Sequence, residues 1–126
     1  MYGFSITVAL LAAVGIIAIG IMYLSRPRLA TQSFGLPLPE AGANIAWWLR
    51  LKGVRDIVSG VVVLGLLIWG GPRMAGIALL IEALIPIGDM SLILAAKGST
   101  QRALGMHGFT AALMTLAAIP LILGVA

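Results

Sequence analysis

Four apolar runs, separated by short polar stretches, make up nearly the whole of this chain. Phe4 to Leu24 carries no charge. Residues 46–69 form a second run, charged only in its first half. Met74 to Ala96 form a third, interrupted by Glu82 and Asp89, and residues 103–124 form a fourth, interrupted only by His107. A bilayer crossing needs about 20 predominantly apolar residues. The pattern therefore predicts an all-α fold: an integral membrane four-helix bundle in one transmembrane domain, residues 1–126, with spans near 4–24, 46–69, 74–96 and 103–124.

The connections carry their own signals. In "SRPRLATQSFGLPLPE", Ser25 is a candidate N-cap, Pro27 suits a first helical turn, and Gly35 and Pro37 end the short helix that Pro27 begins. A short interfacial helix after the first span is expected, then an extended Pro-rich segment. "WGGPR" reads as a tight turn with Trp69 at the depth of an aromatic belt. "KGSTQR" is a short turn in which Thr100 is placed to cap the last helix. Such short turns make the second, third and fourth spans antiparallel neighbours in sequence order. The first run has no basic flank before it and no small-residue cleavage site after it, so it reads as a retained helix rather than a signal peptide.

Composition agrees. With 61% hydrophobic residues, 10% charged residues and a mean hydropathy of +1.13, the chain cannot clothe a soluble domain of 126 residues in polar groups. Cysteine is absent, which excludes disulfides and thiol chemistry. The pI near 10.4 follows from a few Lys and Arg at membrane faces, and no nucleic-acid partner is expected. Arg26, Arg28, Lys97 and Arg102 flank the first and third connections, against Arg73 alone in the second. By the positive-inside rule, connections one and three face the cytoplasm, and both termini of this multi-pass cell-membrane protein lie outside.

The charges inside the runs carry the candidate chemistry. "WWLRLKGVRDIVSG" places Arg50, Lys52, Arg55 and Asp56 at the head of the second span. Arg50 and Lys52 read as anchors that snorkel to the interface marked by Trp47 and Trp48. Arg55 and Asp56 lie deeper, roughly 12 Å along the axis from Trp48, and Asp89 lies a similar distance in from Lys97. His107 is about 8 Å beyond Arg102. Arg55, Asp56, Asp89 and His107 should thus meet at similar depth on three helices. Glu82, seven residues before Asp89, shares its helix face. Pro86 lies four residues after Glu82, withdraws a hydrogen bond from its carbonyl, and should kink the third helix there.

An ionisable group at the centre of a membrane helix costs at least about 2.5–3.5 kcal/mol, so these groups should face inward and pair. Arg55 is expected to reach Asp89 or Glu82 across the bundle, because its planar fork matches two carboxylate oxygens. Asp56, about 100° away on the same helix, is left to His107, to Lys52 one turn back, or to water. Asp56, Asp89, His107 and Arg55 are the candidate catalytic residues. Glu82, Trp48, Ser59, Gly88 and Gly108 are the candidate binding residues. A structural clasp between helices is the competing reading of the same charges. No ligand spacing such as His-x-x-x-His appears, so no metal site is expected. No glycine-rich phosphate loop or dinucleotide fingerprint appears either, so no soluble cofactor is expected. The many glycines point to close helix packing, with Gly53 and Gly60 on one stripe.

The run of "RPRLATQSFGLP", "GVRDIVSG", "PIGDMSLILAAKG" and "HG" resembles a family of small four-span membrane proteins of unknown function in bacteria and fungi, distantly similar to DoxX-like proteins. The resemblance covers nearly the whole chain and is most specific at Gly53, Arg55, Asp56, Gly88, Asp89, His107 and Gly108. It implies a four-helix membrane fold and supplies no activity. Small multidrug transporters are of similar size, but they carry an essential acid in the first span, and none is present here.

Three functions fit these residues. The first is a protein that binds a lipophilic small molecule drawn from membrane lipid, and that isomerises it, cyclises it or opens its epoxide by acid–base chemistry without a cofactor. There Asp89 or Asp56 would donate a proton, His107 or the other carboxylate would accept one, and Arg55 would orient the acids or hold a developing oxyanion. The second is a proton- or cation-coupled carrier using Glu82 and Asp89 as a relay. The third is an accessory subunit whose charges only join helices. A homodimer is compatible with all three.

Overall fold

The computed structural model describes residues 2–40 and 42–125, and every regular element among them is helical. Helix α1 spans Tyr2–Ser25, α2 Pro27–Gln32 and α3 Ala43–Gly65, which runs into a π-helical turn at Leu66–Gly70. Then come α4 Gly71–Glu82, α5 Leu84–Ala95, the single turn α6 Thr100–Arg102, a second π-helical turn Ala103–Gly108, and α7 Phe109–Leu123.

Three continuous helical runs are long and apolar enough to cross a membrane: Tyr2–Ser25, Asn44–Ala95 and Thr100–Leu123. The middle run has 52 residues and would measure about 78 Å if straight, more than twice a hydrocarbon core of about 30 Å. It is not straight. Gly71 takes φ 79° and ψ 170°, a conformation glycine reaches without a Cβ penalty. The chain folds back there, so Val63 before the turn and Leu79 after it share one buried cluster. The result is four long helical arms. Connections one and three meet at one end, where the Ser99 N–H donates to the Gly35 carbonyl at 2.8 Å. Tyr2, Arg73 and Gly124 gather around a shallow depression at the other.

Small residues hold the arms together. A Cβ on Gly20 would stand 2.6 Å from the Gly53 carbonyl oxygen, and one on Gly60 2.5 Å from that of Ala13. Backbones of α1 and α3 therefore touch along their length, as small residues permit in apolar surroundings. Ala9, Ala13, Leu79, Ala117 and Ala118 complete a core in which alanine predominates. Many of the large apolar side chains point the other way: Leu11, Trp69 and Leu123 are all exposed. A small core inside a greasy exterior suits a chain whose outer solvent is hydrocarbon. The architecture is an all-α bundle of the kind built for a membrane.

The arms close at one end and splay at the other. α1 packs on α3 and α7, and α4 packs on α7. Among the described residues, no Cα of α1 comes within 8 Å of α5 or of the π turn 103–108, and none of α3 comes that close to α5. Part of the splay has a local cause. The third arm breaks at Ala83, just after Glu82, where Pro86 has no N–H to return to the Glu82 carbonyl.

Two caps differ from expectation. Ser25 ends α1 and donates its hydroxyl to the Ile21 carbonyl at 2.8 Å, so α2 begins without a side-chain cap, on Pro27. Ser99, not Thr100, caps the last arm, its Oγ accepting from the Arg102 N–H at 3.2 Å. Ser99 is extended at φ −71° and ψ 106°, which is the conformation a cap needs, whereas Thr100 already lies inside the helix.

Candidate functional site

The splayed half encloses a cavity of about 390 Å³, the scale of a small-molecule pocket. Its wall is mostly apolar, and its ionisable groups include Lys52 and Asp56 from α3 (beside Ser59), Glu82 and Asp89 from α4 and α5, His107 from the π turn, and Tyr23 from α1. Leu11, Ile19 and Phe109 also line it, yet are exposed on the outer face of the bundle. The cavity therefore reaches the apolar exterior between α1 and the last arm.

Helical spacing explains the α3 wall. Lys52, Asp56, Ser59 and Val63 follow one another at steps of four, three and four, so they share one stripe, and all four line the cavity. Lys52 Nζ lies 2.6 Å from Asp56 Oδ2. It also sits 4.3 Å above the ring of Tyr23 and 5.2 Å above that of Phe34. Asp56 is only 8% exposed, so this pair is an internal one. On the facing wall, Glu82, Pro86 and Asp89 share a second stripe, with Glu82 deeper.

His107 completes the polar end. Its Nε2 lies 2.9 Å from the Phe34 carbonyl oxygen and its Nδ1 3.6 Å from Asp89 Oδ2. A carbonyl can only accept, so Nε2 carries a hydrogen and donates it. Nδ1 is then the ring atom that faces Asp89. The imidazole also packs on Phe34, ring centroids 4.6 Å apart. Phe34 is held from above: Arg102 donates to the Gln32 carbonyl, and Ser99 N–H donates to Gly35. The segment 32–35 thus roofs the cavity, hooked by three donors from the last connection and arm.

Several candidate residues stand elsewhere. Arg55 is exposed and off the cavity stripe; among the described residues it makes no ion pair with Asp89 or Glu82. Its place beside a carboxylate is taken by Lys52, which does not snorkel outward. The reason is angular: Arg55 is about 100° around the helix from Asp56. Trp48 is 69% exposed and outside the cavity. Gly88 borders open space, and Gly108 lies against Met90 in the α5–π-turn contact rather than lining the cavity. Arg50 donates from Nε to the Leu24 carbonyl at 3.2 Å and stacks over Trp47, which ties α3 to the end of α1. Tyr23 and Phe34 are the site residues that sequence reasoning passed over, whereas Lys52, read mainly as an interface anchor, is the one of the three partners left open for Asp56 that the structure supplies. For Lys52 the signal was present, in its four-residue spacing to Asp56.

Arg55→Gln is accordingly expected to change stability by no more than about 0.5 kcal/mol, read as the shift of a denaturation curve in neutral detergent. A loss of several times that size would mean that the guanidinium has a partner within the bundle.

No curated protein and no solved structure matches the chain. One family model does, over residues 13–121, a stretch that takes in all the cavity's polar groups and the whole of its roof. The chain belongs to that family, which is described as a domain of unknown function (DUF4267).

Proposed function

We propose that this chain crosses the membrane four times and takes a lipophilic small molecule sideways from the bilayer into the cavity, where acid–base groups act on it. The observation that carries the reading is an apolar cavity that reaches the outer wall and ends on one ion pair, Lys52–Asp56, and on a carboxyl–imidazole contact, Asp89–His107. Ligand sites of this kind are apolar with a few placed polar groups. Asp89 and His107 hold an exchangeable proton between them, and Asp56 offers a second carboxylate. The pair suits proton transfer to and from carbon or oxygen, as an isomerisation, a cyclisation or an epoxide opening requires. Lys52, rather than Arg55, supplies the cation that holds a developing oxyanion.

Four spans are supported by the reversal at Gly71, and the orientation by the basic residues Arg26, Arg28, Lys97 and Arg102 around the two connections that meet at the cavity end. The cavity then opens in the inner half of the bilayer. Carrier function has less support, because Val63, Leu79, Ala117 and Ala118 pack tightly beyond Glu82 and block a path to the far end. A purely structural role for the charges has less support too, since paired charges that serve only to join helices leave no reason for a cavity of this volume.

The test is an organic extract of the purified protein, analysed by mass spectrometry. One apolar small molecule, near one equivalent per chain and enriched over bulk lipid, is the expected result. An extract holding only the phospholipids of the host membrane, in host proportions, would overturn the reading.

A further inference from the structure

Lys52 is the only amine that lines the cavity among the described residues. The chain has two lysines, and the other, Lys97, is exposed in the connection after α5. A lysine near a membrane interface ordinarily extends its stem toward water. Lys52 does the reverse: its ammonium turns inward to Asp56 and lies against the rings of Tyr23 and Phe34. Its side chain keeps 32% of its exposure, while that of Asp56 keeps 11%. The amine is therefore reachable, and the carboxylate beneath it is nearly sealed.

We infer, building on the cavity reading above, that the ligand is a lipophilic aldehyde or ketone and that Lys52 condenses with its carbonyl to form a Schiff base. A lysine activated by an adjacent base can carry out this chemistry, and Asp56 stands beside Lys52 as that base. Asp56 Oδ2, at 2.6 Å, takes one proton from the ammonium. The freed nitrogen pair attacks the carbonyl carbon, a C–N bond forms, and the C=O π pair moves to oxygen. The Asp89–His107 pair protonates that oxygen and recovers a proton from nitrogen, leaving a neutral carbinolamine. Asp56 then returns its proton to the hydroxyl. Water leaves as the nitrogen pair forms the C=N bond. One ammonium and one carbonyl become one iminium and one water, with no change of oxidation state. Asp56 ends ionised beside a cation, as it began. That balance decides the matter: no new charge is buried, so the step avoids the desolvation penalty that a membrane interior imposes.

The experiment incubates the full chain, in neutral detergent, with dodecanal and sodium cyanoborohydride, and maps the reduced adduct by peptide mass spectrometry. A dodecyl group on Lys52, favoured over Lys97 by about tenfold or more, is expected, because only Lys52 has an apolar cavity to hold the aldehyde chain. Lys52→Arg keeps the cation beside Asp56 and should remove the adduct. Should that variant not fold, competition between the two lysines of the unaltered chain is itself decisive. Equal labelling of the two, or preference for the exposed Lys97, overturns the inference. Dodecanol separates the two failures. If it raises the melting temperature while no Lys52 adduct forms, the cavity holds lipophiles and the Schiff base is wrong. If neither dodecanol nor dodecanal does so and no adduct forms, the cavity reading falls as well.

Discussion

Asp89→Asn is expected to cut turnover of the molecule recovered from the native protein by roughly 10²- to 10⁴-fold, the range a positioned acid or base contributes, while leaving the fold intact. The geometry separates the two effects. His107 is fixed from its far side, where Nε2–H donates to the Phe34 carbonyl at 2.9 Å, so its ring stays in place when residue 89 changes. Its Nδ1, 3.6 Å from Asp89 Oδ2, is then an acceptor. An asparagine amide can donate to that nitrogen, so the contact survives, but it can neither take up nor release a proton. The roof over segment 32–35 also persists, because Arg102 and Ser99 hold it independently of Asp89. Turnover and thermal unfolding in the same detergent should therefore part company. If Asp89→Asn turns over normally, the acid–base role is wrong. If it loses stability and activity in step, the carboxylate is only a clasp.

Much of the architecture was legible because membrane helices announce themselves by length and greasiness. The extent of the runs, the reversal near Gly71 and the break before Pro86 all stem from composition and backbone chemistry. The Glu82–Asp89 face was legible from spacing alone, and both residues line the cavity. The α3 wall was half legible. Rating each cation by its distance from Trp48 made Lys52 an anchor and Arg55 a partner, whereas azimuth decides which side chain faces inward, and Lys52 shares the azimuth of Asp56. Two features left no trace in the sequence. The π turn 103–108, which carries His107, changes the hydrogen-bond register of a helix without altering its apolar pattern. The Phe34 carbonyl that fixes the His107 tautomer is a backbone group, and backbone groups have no sequence identity.

Gly53→Ala should destabilise the protein by about 1–3 kcal/mol, the usual effect of overfilling a packed interface, while Gly88→Ala should not destabilise it at all. The two substitutions add the same methyl group to a helical glycine. At Gly53 it would stand 2.6 Å from the Gly20 carbonyl oxygen, 3.0 Å from Tyr23 Cβ and 3.1 Å from the Leu24 backbone nitrogen. Two of those three atoms are backbone and cannot rotate away, so α1 and α3 must separate. At Gly88 nothing lies within 4 Å, and alanine suits a helix interior better than glycine by up to about 1 kcal/mol. The separation has a functional consequence, because Gly53 is the chain neighbour of Lys52 and a Cβ added there would press on Tyr23, whose ring lies against the Lys52 amine. Opening the seam withdraws the Tyr23 ring from Lys52 Nζ and widens the cavity on that side. Denaturant titration in mixed micelles measures the first effect, and retention of the co-purifying molecule measures the second. If Gly53→Ala proves as stable as Gly88→Ala, the two backbones are not in contact, and the packing that shapes the cavity has been misread.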